Sequence, residues 1–178
     1  VRILIRDFIK LSSYFLPFEY LELENMMRHR KDLGYGIEVR MKNVEFKLIN
    51  AGHIPGSAMV ELNTNGKRIL YTGDFNTLDT RLVQGARVSK QEFDAVIIES
   101  TYASKDHPDR AGLEEEFISN IKEVLLGDGQ VLVPAFAVGR SQEMMSIINT
   151  YNLGMKVVVD GMARLVNETL VNYPDFLR

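Results

Sequence analysis

Five short strand-like runs, separated by turn-forming residues, constrain the fold of this chain more than any other feature. They span residues 36–41, 44–50, 58–63, 67–72 and 93–99. Each is short and bounded by turn signals, so each predicts a strand. Between the third and fourth lies Asn63-Thr64-Asn65-Gly66, whose Asn-Gly pair predicts a tight hairpin turn. Ala95-Val96-Ile97-Ile98 is apolar without alternation, which predicts a strand buried on both faces. Residues 88–92 before it predict a loop or short turn.

Helical spacing flanks these strands. Leu4, Phe8, Leu11 and Phe15 recur at intervals of three and four, predicting an amphipathic helix over 1–16 that Pro17 stops. A second short helix is predicted over 19–30. After Tyr102 the rhythm changes. Helices are predicted over 110–126, 141–151 and 162–172, alternating with strands over 131–134 and 156–159. Alternation of this kind implies parallel βαβ units. The expected fold is therefore α/β in two parts, 1–102 and 103–178, divided by the polar stretch around Pro108.

Composition narrows the chemistry. With 46% hydrophobic and 25% charged residues among 178, the chain has the make-up of a folded globular protein and not of a disordered one. It has no Cys, which excludes a disulfide framework, Cys-type zinc sites and a thiol nucleophile. Any His-built metal site must draw on His29, His53 and His107, the 3 histidines present. A net charge of −3 argues against a broadly basic nucleic-acid-coating surface but leaves room for a local basic groove. No apolar run reaches the length of a transmembrane helix. Charges interrupt the apolar residues of the first ten positions, so no signal peptide is expected there. The chain starts at Val1 and not at Met, and a processed or partial sequence is expected.

Three strand ends carry reactive side chains. Asn50-Ala51-Gly52-His53-Ile54-Pro55-Gly56-Ser57 holds an imidazole in a loop between glycines, which let the backbone aim it into a cleft. Tyr71-Thr72-Gly73-Asp74-Phe75-Asn76 sets a carboxylate just past a strand. Ile97-Ile98-Glu99-Ser100-Thr101-Tyr102 ends a strand on another. Polar groups at the ends of adjacent strands commonly converge on one site, and a loop His with a strand-end Asp are zinc-ligand types. Structural alternatives stand beside each: a surface or capping role for His53, an Asx-turn for Asp74, a hydrogen-bonded strand end for Glu99. His29, in a basic run, reads as a solvated helix end, and His107 as a surface-loop residue. Met144, Met145 and Ile148 read as core.

These stretches, with Pro134-Ala135-Phe136-Ala137-Val138-Gly139-Arg140-Ser141-Gln142-Glu143, resemble the metallo-β-lactamase superfamily, in particular its β-CASP branch of nucleases of archaeal or bacterial type. The resemblance implies a fold: the end of the first metallo-β-lactamase segment of an αββα sandwich over 1–102, then the opening of a β-CASP insertion over 103–178. It implies that His53 is a ligand to one of two zinc ions, that Asp74 bridges both, and that Glu99 is the acidic residue that orients a general-acid His. It implies RNA as substrate and partner, in RNA processing or decay, a cytoplasmic setting with no membrane, and a homodimer or an RNA-processing complex. The family's His-x-His-x-Asp-His motif and two later histidines are absent here. They are expected upstream and downstream of these residues, so that the chain is an internal piece, inactive by itself.

Gly139 permits a strand-to-helix turn, with Ser141 as N-cap, and Arg140 and Ser141 are candidate contacts to an RNA phosphate. The alternative is that Arg140 pairs with a nearby carboxylate and the helix simply packs. Two other functional readings remain: a catalytically dead scaffold or RNA-binding homologue, and a metallo-β-lactamase-fold hydrolase acting on a small ester or lactam.

Overall fold

A computed structural model describes residues 1–12, 16–88 and 90–178. The chain divides into two compact units, Val1–Gly34 and Tyr35–Arg178. The first is a pair of helices, α1 (Arg2–Leu11) and α2 (Tyr20–Arg28). The Arg2 guanidinium meets Glu24 at 3.0 Å. The start of α2 is fixed by Glu22, which accepts a hydrogen bond from the Glu19 amide at 2.9 Å. That contact satisfies one of the donors a helix start leaves without an intrahelical partner. Phe15, placed by its spacing on the first helix, lies outside the described residues, and so does Ser89 of the 88–92 loop.

The second unit is built on a five-stranded sheet in the order β1-β2-β3-β4-β5. The strands are Glu38–Met41, Val44–Asn50, Ala58–Thr64, Lys67–Tyr71 and Ala95–Ile97. β1 to β4 form an antiparallel meander, and β5 joins β4 in parallel. Asn65 and Gly66 make the β3–β4 turn with φ of 50° and 74°. Two left-handed residues give the turn whose twist matches that of the flanking strands. The pairing Lys47↔Glu61 puts an ion pair of 2.8 Å on one face. Further along the same face, Met59 and Leu70 join Ala51 and Ala86 in the buried core, with Ile49, Phe75 and Phe93 against it.

Three helices follow: α3 (Arg110–Leu126), α4 (Arg140–Thr150) and α5 (Met162–Val171), with a short 3-10 turn at Pro174–Phe176. Asp109 caps α3 by accepting from the Gly112 amide at 2.7 Å, and Ile118 and Ile121 are buried. On α4, Ile147 is buried while Met144, Met145 and Ile148 are half-buried.

Two expectations are corrected. β5 is not buried on both faces: Val96 and Ile97 are 50% and 57% exposed. β5 is the edge of the described sheet, with β4 as its one neighbour there. Residues 131–134 and 156–159 are not strands. Strand backbone needs a neighbour for its N–H and C=O groups, and no described segment pairs with them. Leu132 and Val158 are correspondingly 91% and 76% exposed. The expected parallel βαβ sheet is thus absent among the described residues; β4–β5 is the one parallel pair.

Candidate metal and phosphodiester site

Sheet topology gathers the three reactive strand ends. Two antiparallel steps make β2 and β4 run in the same direction, and β5 is parallel to β4. The loops that leave β2, β4 and β5 therefore emerge at one end of the sheet, the usual place for a site on such a framework. These loops carry His53, Asp74 and Glu99.

Local hydrogen bonds hold each loop. Ser57 Oγ accepts from the His53 and Ile54 amides at 3.1 and 3.2 Å. Asn50 Oδ1 accepts from the Gly52 amide at 2.9 Å. Gly52 has φ of 67°, and a Cβ there would lie 2.4 Å from both Ala86 N and Asn76 O, so only glycine fits. The Asn76 amide donates to the Ala51 carbonyl at 2.9 Å, tying the Asp74 loop to the His53 loop. Glu99 ties the Asp74 loop to β5: its carboxylate accepts from the Phe75 amide at 3.2 Å and from the Thr101 amide at 3.2 Å.

His53 Nε2 and Asp74 Oδ2 face each other at 3.9 Å, too far for a hydrogen bond. Both side chains are open to solvent. The Glu99 carboxyl is held below the ordinary glutamate range, first by the Thr101 side chain, then by the Phe75 amide, with His53 adding to the effect. It is the anionic form of Glu99 that these donors stabilise.

The donor set is partly that of a metal centre. An imidazole nitrogen and a carboxylate oxygen are zinc-type ligands. Yet among the described residues no group of three or more His, Asp and Glu is gathered closely enough to hold a metal ion. Each of the other two histidines is engaged within its own unit. The His29 ring meets the Asn25 carbonyl at the end of α2, and the His107 ring packs on Tyr102 at a tilt of 55° with centroids 4.6 Å apart.

Arg140 and Ser141 open α4. Gly139, with φ of 81°, stands where the N-cap was expected at Ser141. Ser141 lies inside the first turn, and its hydroxyl donates to the Phe136 carbonyl at 2.8 Å. A glycine takes the cap because the chain needs a left-handed residue there, which serine adopts poorly. A Cβ on Gly139 would also lie 2.6 Å from Ile54 Cγ2, so the start of α4 packs on the residue next to His53. Arg140 is exposed and makes no ion pair among the described residues.

Sequence reasoning passed over one cluster. Glu143 and Glu114 are buried. Glu143 accepts from the Arg81 and Leu82 amides at 2.9 and 2.8 Å and pairs with Arg110. Glu114 pairs with Arg81 at 2.7 Å and Arg110 at 3.0 Å. The available signal was Glu114 itself, a carboxylate on the same helical face as Ile118 and Ile121.

No family model matches the chain. It is similar over 99% of its length, at 41% identity, to a probable RNase MJ4 of Methanocaldococcus jannaschii. It is 36% identical over 98% of its length to RNase aCSPSF2 of Saccharolobus solfataricus. It is 33% identical over 83% of its length to cleavage and polyadenylation specificity factor subunit 3 of Dictyostelium discoideum. The chain spans 43%, 36% and 20% of these relatives' own lengths. These relatives are ribonucleases of the β-CASP metallo-β-lactamase family, and the chain is similar to them over most of its own length.

Proposed function

We propose that the protein is a zinc-dependent ribonuclease that hydrolyses RNA phosphodiester bonds in RNA processing or decay. The observation that carries this reading is the convergence of His53, Asp74 and Glu99 at one end of the sheet, in a chain whose relatives are named as ribonucleases. Residues 1–102 are the end of the first metallo-β-lactamase segment, and 103–178 are part of the β-CASP domain. The order of the four matching stretches and the change from hairpin-linked strands to helices after Tyr102 support this division.

His53 and Asp74 would hold zinc, as ligands to two ions in the complete site. When bound, zinc supplies Lewis-acid charge to a phosphoryl oxygen and lowers the pKa of water. The chain's own residues do the rest. Glu99, anionic and fixed by the Phe75 and Thr101 amides, holds the backbone that follows Asp74 and offers a carboxylate to orient a neighbouring imidazole. Arg140, exposed at the start of α4 beside the His53 loop, would hold a backbone phosphate without reading sequence. RNA is the partner, and a homodimer or an RNA-processing complex the assembly. The expected setting is cytoplasmic; separately, no described helix is long and apolar enough to cross a membrane.

The test is RNA cleavage by the full-length protein with and without chelator, alongside Asp74→Asn. Loss of cleavage in both, restored to the parent by zinc alone, supports the reading. Cleavage that survives chelation and substitution refutes it.

A further inference from the structure

We infer that Glu143 is a positioning residue: its buried carboxylate straps the 79–83 loop to the first turn of α4 and so fixes Arg140 beside the His53 loop.

Glu143 is the fourth residue of α4 and only 4% exposed. A buried carboxylate is tolerated when donors surround it, and this one has three. One oxygen accepts from the Arg81 amide at 2.9 Å and from the Arg110 guanidinium. The other accepts from the Leu82 amide at 2.8 Å. The loop it grips continues directly from Asp74. That loop is closed on itself by Asp79, which accepts from the Gly85 amide at 2.9 Å, and by the Ala86 amide donating to Asn76 O at 2.7 Å.

The helix side is equally defined. The Glu143 amide donates to Gly139 O at 2.9 Å. Gln142 accepts from the Gly139 amide at 2.7 Å. Gly139 in turn lies against Ile54. A rigid path therefore runs from the Asp74–Ala86 loop through Glu143 to Gly139, Ile54 and His53. Arg81 and Glu114 complete the charge balance, since the Arg110 guanidinium lies between both carboxylates and Arg81 pairs with Glu114.

Glu143→Gln tests the strap, because the amide keeps the volume but has one acceptor oxygen for three donors. Hydrogen exchange on the chain and RNA binding by the full-length protein are the two readouts. The Arg81 and Leu82 amides should exchange about tenfold faster. The His53 and Ile54 amides should also exchange faster, an effect that a purely local role would not produce. The consequence for RNA rests on the proposed phosphate contact of Arg140. There, the salt slope of binding should fall by about one, as for Arg140→Ala, with no further loss in the double variant. Faster exchange at Arg81 and Leu82 with His53 and Ile54 unchanged overturns the inference. Glu143→Asp keeps the charge facing the arginines but reaches the loop less well, so it gives the same readouts if the Gln variant does not fold. An unchanged slope for Arg140→Ala would refute the phosphate contact alone, while the exchange pattern still decides the strap.

Discussion

His53 Nε2 lies 3.9 Å from Asp74 Oδ2 across the ends of β2 and β4. That distance exceeds a hydrogen bond, and both side chains stay open to solvent. Replacing His53 by Ala in the full-length protein should lower zinc affinity by more than the roughly tenfold lost when a residue supporting a ligand is removed. Competition titration with a zinc chelator measures it, and an unchanged affinity would show that His53 is not a ligand.

Ligand counting gives a second expectation. Stable zinc sites use three or four protein ligands in most cases, and the described residues bring together one imidazole and one carboxylate at this point. The 178-residue chain alone should neither bind two zinc ions tightly nor cleave RNA. Calorimetric titration showing two tight sites, with cleavage of a labelled RNA, would refute this.

Gly52 sets a steric limit on the same site. Its backbone is left-handed, and a Cβ would stand 2.4 Å from two backbone atoms. Both the conformational penalty and the clash oppose substitution. Gly52→Ala should destabilise the chain by about 2–4 kcal/mol, the range of overpacking plus backbone strain. Urea denaturation checks it; a cost under about 1 kcal/mol would mean that the loops move apart readily.

Asp79 predicts a pH dependence. Its carboxyl is held below the ordinary aspartate value of 3.8, chiefly by the Gly85 amide, with Arg87 and Arg178 adding to it. The folded value is lower than the unfolded one. The resulting stability is present above pH 3.8 and is lost as pH falls from there through the folded value. Asp79→Asn should therefore flatten the acid limb of a stability–pH curve. Parallel acid limbs for parent and variant would refute the assignment.

The parts that local patterns control were legible in the sequence. The Asn65-Gly66 turn, the runs at 44–50 and 58–63 and the three helices after Arg110 follow from turn chemistry and periodicity within a few residues. The loop positions of His53 and Asp74 followed as well. What was not legible depends on partners remote in sequence. Residues 131–134 and 156–159 have strand composition, but composition supplies no neighbour. Arg81 meets Glu114 across 33 positions, and nothing near Arg81 announces it. Ser141 looked like a cap because of its type, whereas the left-handed backbone at Gly139 decided the position.

The open side of β5 has a bearing on how the chain behaves at high concentration. Val96, Ile97 and the adjoining Ile98 are more than half or about half exposed, on a strand whose outer row of amides and carbonyls meets no described neighbour. Such an edge is a template for another extended strand. Lateral pairing of two sheets is the contact such an edge favours, and Ile97→Lys should oppose it.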